Sequence, residues 1–257
     1  MKKVFSLAAI ALLIFTSCSS DDNTNVTTPQ DNTLLKKTVT TDQQGNTQAS
    51  FYTYDGNKIV SILDENGKSR EYTYTGNLIT NIKVVGSNYE DERNFEYNSN
   101  NQKTSLIIHY KYNSGGSIYE QWTKYIYTYN QNGTVTAQIY VAEQENEWTF
   151  RDTSNISYTE NSIKQKTTET TITTETTITT VYDTKNGPMK NVLGFKEYML
   201  PEGFLNNAVS ESIEGSSNET YTYNHTYNNN NYPISSSILY EYEGQSPITN
   251  TTQYFYE

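Results

Sequence analysis

The chain is 257 residues long and carries 29 Asp and Glu against 18 Lys and Arg, a formal net charge of −11. That balance argues against nucleic acid, whose phosphates need clustered cations, and against an electrostatic grip on anionic lipid. One Cys rules out an intrachain disulfide and a cysteine zinc site, while 24 Tyr beside 8 Phe and 2 Trp point to strands.

Lys2 and Lys3 precede an apolar run from Val4 to Phe15 that only Ser6 interrupts, and Thr16 and Ser17 then stand before Cys18. A charged start, a short apolar core and small residues at the cut make residues 1–17 a secretory signal, too short for a spanning helix. The tail Phe15-Thr16-Ser17-Cys18 resembles the lipobox of bacterial lipoproteins, with Phe15 in place of the usual Leu. The resemblance implies that Cys18 is lipidated as the first mature residue. It also implies several acyl chains, where a single chain would hold the protein only marginally. Ser19-Ser20-Asp21-Asp22 is similar to the acidic tag behind the lipidated Cys of Bacteroidota lipoproteins. That tag implies an outer-membrane location facing the cell exterior; the alternative is a plain acidic linker. Residues 18–33 read as a flexible acidic tether. Positions 19–33 hold one apolar residue, Val26, too little to order a segment, and a coil of that length reaches roughly 20 Å. Removing Lys2 and Lys3 with the signal takes the net charge from −11 to −13.

Residues 34–257 read as a single all-β domain. A phrase recurs along it: aromatic-x-Tyr, a polar turn, then an aliphatic strand. Tyr52-Thr53-Tyr54-Asp55-Gly56-Asn57 leads into Ile59 to Leu63, and Tyr72-Thr73-Tyr74-Thr75-Gly76-Asn77 into Leu78 to Val85. Phe95-Glu96-Tyr97 precedes Leu106 and Ile108, and Tyr127-Thr128-Tyr129 precedes Val135 to Val141; later copies are Ile156-Ser157-Tyr158, Tyr221-Thr222-Tyr223 and Tyr240-Glu241-Tyr242. Asp55-Gly56, Asn66-Gly67 and Asn132-Gly133 are strong hairpin turns, because these residues tolerate positive φ. Period-2 alternation places Leu106, Ile108, Tyr110 and Tyr112 on one face, and Val135, Ala137, Ile139 and Val141 likewise. The pattern predicts a long antiparallel meander of hairpins curling toward an open or closed barrel. Ser162 to Tyr182 is too long for one strand, about 65–70 Å at the usual rise, and a break is expected within it. One short helix or loop insertion is expected near 188–200, between Pro188 and Pro201. Strands are expected to resume at about Glu219.

The Tyr-x-Tyr-Asp-x-Asn phrase is similar to the YD repeats of Rhs-type shell proteins, without their Gly-Arg-Leu after the turn. The Tyr-x-Tyr units join Tyr182-Asp183-Thr184-Lys185-Asn186-Gly187-Pro188-Met189-Lys190-Asn191 and Asn231-Tyr232-Pro233-Ile234-Ser235. Together they resemble a Bacteroidota surface lipoprotein family of unknown function with a porin-like fold, over most of residues 50–257. The resemblance implies a meander curling toward a barrel, and no activity. A bilayer-spanning barrel is not expected, because strand positions opposite the core carry Thr, Asn, Glu and Lys where an apolar outer band would be needed.

No nucleophile elbow, His-Glu-x-x-His or phosphate-cradling glycine loop occurs. His109 is expected to face solvent, and His225 to sit half-buried in phase with Tyr221, Tyr223 and Tyr227. Asp64-Glu65-Asn66-Gly67 and Asp55-Gly56-Asn57 lack the full calcium-loop spacing and are explained as turns. No catalytic residue, metal ligand or cofactor is therefore assigned. Trp122 and Trp148 are the candidate ligand-binding aromatics, with core or sheet-edge packing as the alternative. The expectation is a non-enzymatic binding or interaction module, held to the membrane by its lipid anchor and taking a glycan or an envelope protein. A structural or assembly accessory of the envelope ranks second. A glycan-active hydrolase ranks third, since two carboxylates at the right separation would suffice.

Overall fold

The computed structural model describes residues 31–169, 174–215, 218–242 and 247–257. The signal, Cys18 and the tag Ser19, Ser20, Asp21 and Asp22 lie outside the described residues. Alternating strand-formers and Gly- or Asn-bearing turns produce sixteen strands among the described residues. They are β1 Leu35–Thr41, β2 Thr47–Asp55, β3 Lys58–Asp64, β4 Ser69–Thr75, β5 Leu78–Val85, β6 Tyr89–Tyr97, β7 Lys103–Ser114 and β8 Ser117–Tyr129. The second half comprises β9 Val135–Ala142, β10 Thr149–Tyr158, β11 Ser162–Glu169, β12 Glu175–Tyr182, β13 Ala208–Glu214, β14 Glu219–Tyr227, β15 Pro233–Tyr242 and β16 Ile248–Tyr256. Every strand pairs antiparallel with its sequence neighbours, and β1 pairs β16, so the meander closes into a barrel. Closure leaves no row of unpaired backbone groups at a sheet edge.

The hexad-rich stretch 162–182 forms two strands, β11 and β12, paired from Ser162↔Val181 to Thr168↔Glu175; residues 170–173 of the break lie outside the described ones. Strands resume earlier than the expected Glu219, because β13 already pairs β12 from Ala208. A bulge between Ala208 and Ser210 breaks the two-residue alternation there and hides the strand from periodicity. The insertion is real but barely helical: α1 covers only Phe195–Met199, inside a segment, residues 183–207, that joins β12 to β13.

Register assigns the two faces, since directly paired residues point the same way. Ile62, Arg70 and Val84 align across β3, β4 and β5; Ile82, Arg93 and Ile108 align across β5, β6 and β7. Leu106, Tyr125 and Ile139 continue the inner face through β7, β8 and β9. The outer face carries Glu71 and Lys83, Asn94 and Ile107, Lys111 and Glu120, Thr136 and Asn155, and Lys166 and Thr177. The wall is thus mostly polar outside, and apolar or aromatic inside.

Each of the eight even-numbered strands carries an inward Tyr as its last or last-but-one residue: Tyr54, Tyr74, Tyr97, Tyr129, Tyr158, Tyr182, Tyr227 and Tyr256. These form a ring at one end of the barrel. The late copies expected at 221–223 and 240–242 lie nearer the other end; the ring members on β14 and β16 are Tyr227 and Tyr256. The hydroxyl explains the residue. Where the ladder stops, Tyr54 donates to Leu35 O (2.7 Å), Tyr97 to Ile79 O (2.8 Å), Tyr129 to Lys103 O (3.1 Å) and Tyr256 to Pro233 O (2.8 Å). Each bond satisfies the first or second carbonyl of the neighbouring odd strand, for a net contribution of roughly 1 kcal/mol. The odd strands bulge directly after that residue, at Lys36, Val60, Thr80, Thr104, Val209 and Ile234, as barrel rims commonly do.

A wall of sixteen strands encloses more space than its own side chains fill. The segment 183–207 fills the tyrosine-ring end. Met189, Val192, Phe195 and Tyr198 pack with Ile59, Ile79, Ile82 and Phe95; Phe204 packs with Val135, Ile156, Ile163 and Tyr182. Its two ends are tied at Asp183, whose carboxylate accepts from Asn207 N, Lys185 N and the Tyr227 hydroxyl. Tyr232, fully buried, accepts from Asn191 Nδ2 at 2.8 Å. The Asp183 to Asn191 phrase is therefore the first part of this plug, and the Asn231 to Ser235 phrase is part of its seat.

Candidate functional site

With the plug as floor, the lumen is a cup, and its lining follows from strand phase. Two residues before the ring, on the same face, stand Tyr52, Tyr72, Phe95, Tyr127, Ile156, Thr180, His225 and Tyr254. Two residues earlier again stand Ser50, Arg70, Arg93, Tyr125, Ser154, Ile178, Tyr223 and Thr252. The lining thus changes from rings at the floor to hydroxyls and cations above it.

The chain has only three arginines, Arg70, Arg93 and Arg151, and all three reach the lumen. Arg93 holds Asp91 through both Nε (3.0 Å) and Nη2 (2.6 Å). Arg151, the bulged residue of β10, holds the buried Asp152 through Nε and acts electrostatically on the inward Tyr125. Arg70 interacts with the Tyr72 hydroxyl and forms no ion pair within 4 Å among the described residues. Lysines such as Lys83, Lys111, Lys124, Lys164 and Lys166 face outward instead. Beside Arg70 lies a cavity of about 210 Å³ lined by Ser50, Tyr52, Ile62, Asp64, Lys68, Ser69 and Arg70. Asp64 there accepts from Ser50 Oγ at 2.6 Å.

Burial raises the lumen tyrosines above their ordinary pKa of 10. Tyr72, where Arg70 opposes the shift, is pushed up to about 12, as are Tyr74 and Tyr129. Deeper, Lys103 is 3% exposed. Its ammonium bonds Tyr198 O and Glu202 Oε2, both at 2.9 Å, and stands over the rings of Phe95, Tyr127 and Tyr198. Burial pulls its pKa down against the attraction of Glu202. At the open end, a larger hollow of about 1170 Å³ lies between the β7–β8 hairpin and the β9–β10 turn, lined by Tyr110, Tyr112, Tyr119, Gln121, Glu143 and Glu147 among others.

Trp122 and Trp148 are not in this cup. Trp122 points outward from β8, stacked on His109 at 4.2 Å between ring centroids. Trp148 takes the outward Lys124 ammonium over its ring at 5.5 Å. His109 also bonds Glu120 at 2.9 Å, so it is a half-buried member of the outer wall. His225 is half-buried as expected, with Nε2 2.8 Å from Ala208 O and its ring stacked by Tyr223. The arginines and Lys103 escape a periodicity reading that follows apolar residues. Their signal lay in position: Arg70 and Arg93 both stand four residues before a ring Tyr, and Lys103 takes the place that Ile59 and Ile79 hold on their strands. Among the described residues no group of three or more His, Cys, Asp or Glu is arranged to hold a metal ion.

No family model and no curated protein matches the sequence. Solved structures do match the fold. A porin-like protein from Bacteroides uniformis is 13% identical, with a TM-score of 0.51 over 87% of this chain and 96% of that one. A porin-like protein from Bacteroides vulgatus is 14% identical, with a TM-score of 0.53 over 88% and 99% of the two chains. At these identities the likeness is one of fold.

Proposed function

We propose that the protein is a lipid-anchored outer-membrane protein, facing the cell exterior, whose plugged barrel is a non-enzymatic cup for a ligand entering at the open mouth. The observation that carries this reading is the lumen: one end is filled by residues 183–207, and the lining above is built from tyrosines, hydroxyls and arginines. A plugged, polar-walled barrel is suited to holding a ligand, whereas a conducting pore needs a continuous channel. The polar outer wall supports attachment by lipid over insertion, since a spanning barrel needs an apolar band.

Two measurements test the reading. Cys18→Ala should move the protein from the membrane to the soluble fraction; membrane retention of that variant would refute lipid anchoring. Binding is to be followed by calorimetry, because both Trp residues stand on the outer wall and are poor reporters of the lumen. Saturable binding of a glycan that Tyr72→Ala and Tyr125→Ala weaken, without unfolding the barrel, supports the cup. Binding that ignores the lumen and responds to Trp122→Ala would place the site on the outer wall.

A further inference from the structure

We propose that the cup selects an anionic saccharide, one whose sugar ring carries a carboxylate or a sulfate, and that Arg70 is the residue that reads the charge. The inference rests on the cup reading and names its ligand class. Three observations converge on it.

The first is the placement of arginine. In a chain of net charge −11, every Arg reaches the lumen, while Lys83, Lys111, Lys124, Lys164 and Lys166 stand on the outer wall and Lys103 is committed to the plug. The guanidinium is planar, stays charged, and presents a fork that matches a carboxylate or sulfate through two parallel hydrogen bonds, which an ammonium does not. The second is the state of Arg70. Arg93 and Arg151 are each matched by an acid, but Arg70 has a phenol for a neighbour and no ion pair among the described residues. It lies half-buried, with Arg93 near enough to repel it. An oxyanion arriving at this point would meet a guanidinium without an ion-pair partner, in surroundings that water screens poorly.

The third is the cavity beside it. Its volume is about 210 Å³, and its lining offers the hydroxyls of Ser50, Ser69 and Tyr52 and the cations Lys68 and Arg70 against one carboxylate, Asp64, which accepts from Ser50 Oγ, and one apolar residue, Ile62. Hydroxyls and ring faces suit a hydroxyl-bearing ring. An acidic peptide fits less well. The barrel is closed by pairing all the way round, so no free strand edge is offered for an extended chain to add to. The Arg70 cavity also lacks the apolar pockets that peptide side chains anchor in.

The test is calorimetric titration of the mature chain with four probes: trigalacturonate, its methyl ester, a sulfated heparin disaccharide, and hexaglutamate. Trigalacturonate or the sulfated disaccharide should bind saturably, more weakly as salt is raised, and the stronger of the two identifies carboxylate or sulfate as the group read. Arg70→Gln should weaken that binding by about tenfold or more, the loss expected of a charge-assisted pair. Arg70→Lys should recover part of it, and the outer-wall variant Lys124→Gln should leave it unchanged. Circular dichroism of each variant confirms that the barrel is intact. Equal binding of the methyl ester, or affinity that Arg70→Gln leaves untouched, would overturn the charge assignment and leave the cup reading standing. Preference for hexaglutamate would overturn the saccharide. Failure of a folded sample to bind either acidic sugar overturns the proposal.

Discussion

Lys103 shows how one residue can depart from a pattern and still serve it. The matching inward positions on β1, β3, β5, β9 and β11 are Leu35, Ile59, Ile79, Val135 and Ile163. An ammonium there reaches the plug and bonds Tyr198 O and Glu202. Lys103→Ala leaves a cavity and an unmatched Glu202, and should cost roughly 3–5 kcal/mol. The double variant Lys103→Met, Glu202→Met removes both charges, keeps the volume and should cost much less, because an apolar replacement of a whole buried pair is often close to neutral. Urea midpoints of the two variants check this; equal losses would mean that the charge, and not the packing, holds the plug. Tyr129→Phe removes only the bond to Lys103 O and should cost about 1 kcal/mol, read in the same way. The aromatic-x-Tyr phrase was visible in the sequence, but its purpose was not. The hydroxyl's partner is a carbonyl at the start of a neighbouring strand, and only the sheet register identifies that carbonyl.

At the scale of elements, the segment 183–207 behaves as one piece, pinned at both ends and seated by close backbone contact. Gly194 has φ 74, and a Cβ there would stand 2.5 Å from Asn77 O. Leu193 N donates to Asn57 O at 2.9 Å beside it, so the plug has no room to retreat. Gly194→Ala should cost more than about 1 kcal/mol, through strain and a displaced plug. It should also open new protease sites confined to 183–207. Unchanged stability and an unchanged cleavage pattern would show that the seat is looser than its geometry. Pro188 and Pro201 marked the insertion correctly, but its helix shrank to Phe195–Met199. The plug is held by the wall, so its backbone follows the seat more than its own propensity. β13 was missed for a related reason: a bulge makes sense only against the partner strand.

The whole barrel gathers buried phenols from strands far apart in sequence, and that collective burial gives the molecule a pH dependence. Tyr72, Tyr74 and Tyr129 have folded-state pKa values raised by burial from 10 to about 12. The folded barrel therefore keeps these protons more tightly than the unfolded chain does. The stability they contribute is complete below pH 10 and is lost as the pH rises through about 12. Alkaline titration should show late, cooperative tyrosinate absorbance that coincides with loss of the β-sheet dichroism. Full ionisation near pH 10 with the sheet intact would contradict the burial. What the sequence by itself determined was local: strands from alternation, turns from Asp-Gly and Asn-Gly, and a late insertion bracketed by prolines. Each is written in residues a few positions apart. Closure of β1 on β16, the ring of eight tyrosines, the seating of the plug and the meeting of Arg70, Arg93 and Arg151 in one lumen were decided by the tertiary structure. They depend on strand number and register, which are properties of the closed sheet that no short window of sequence carries.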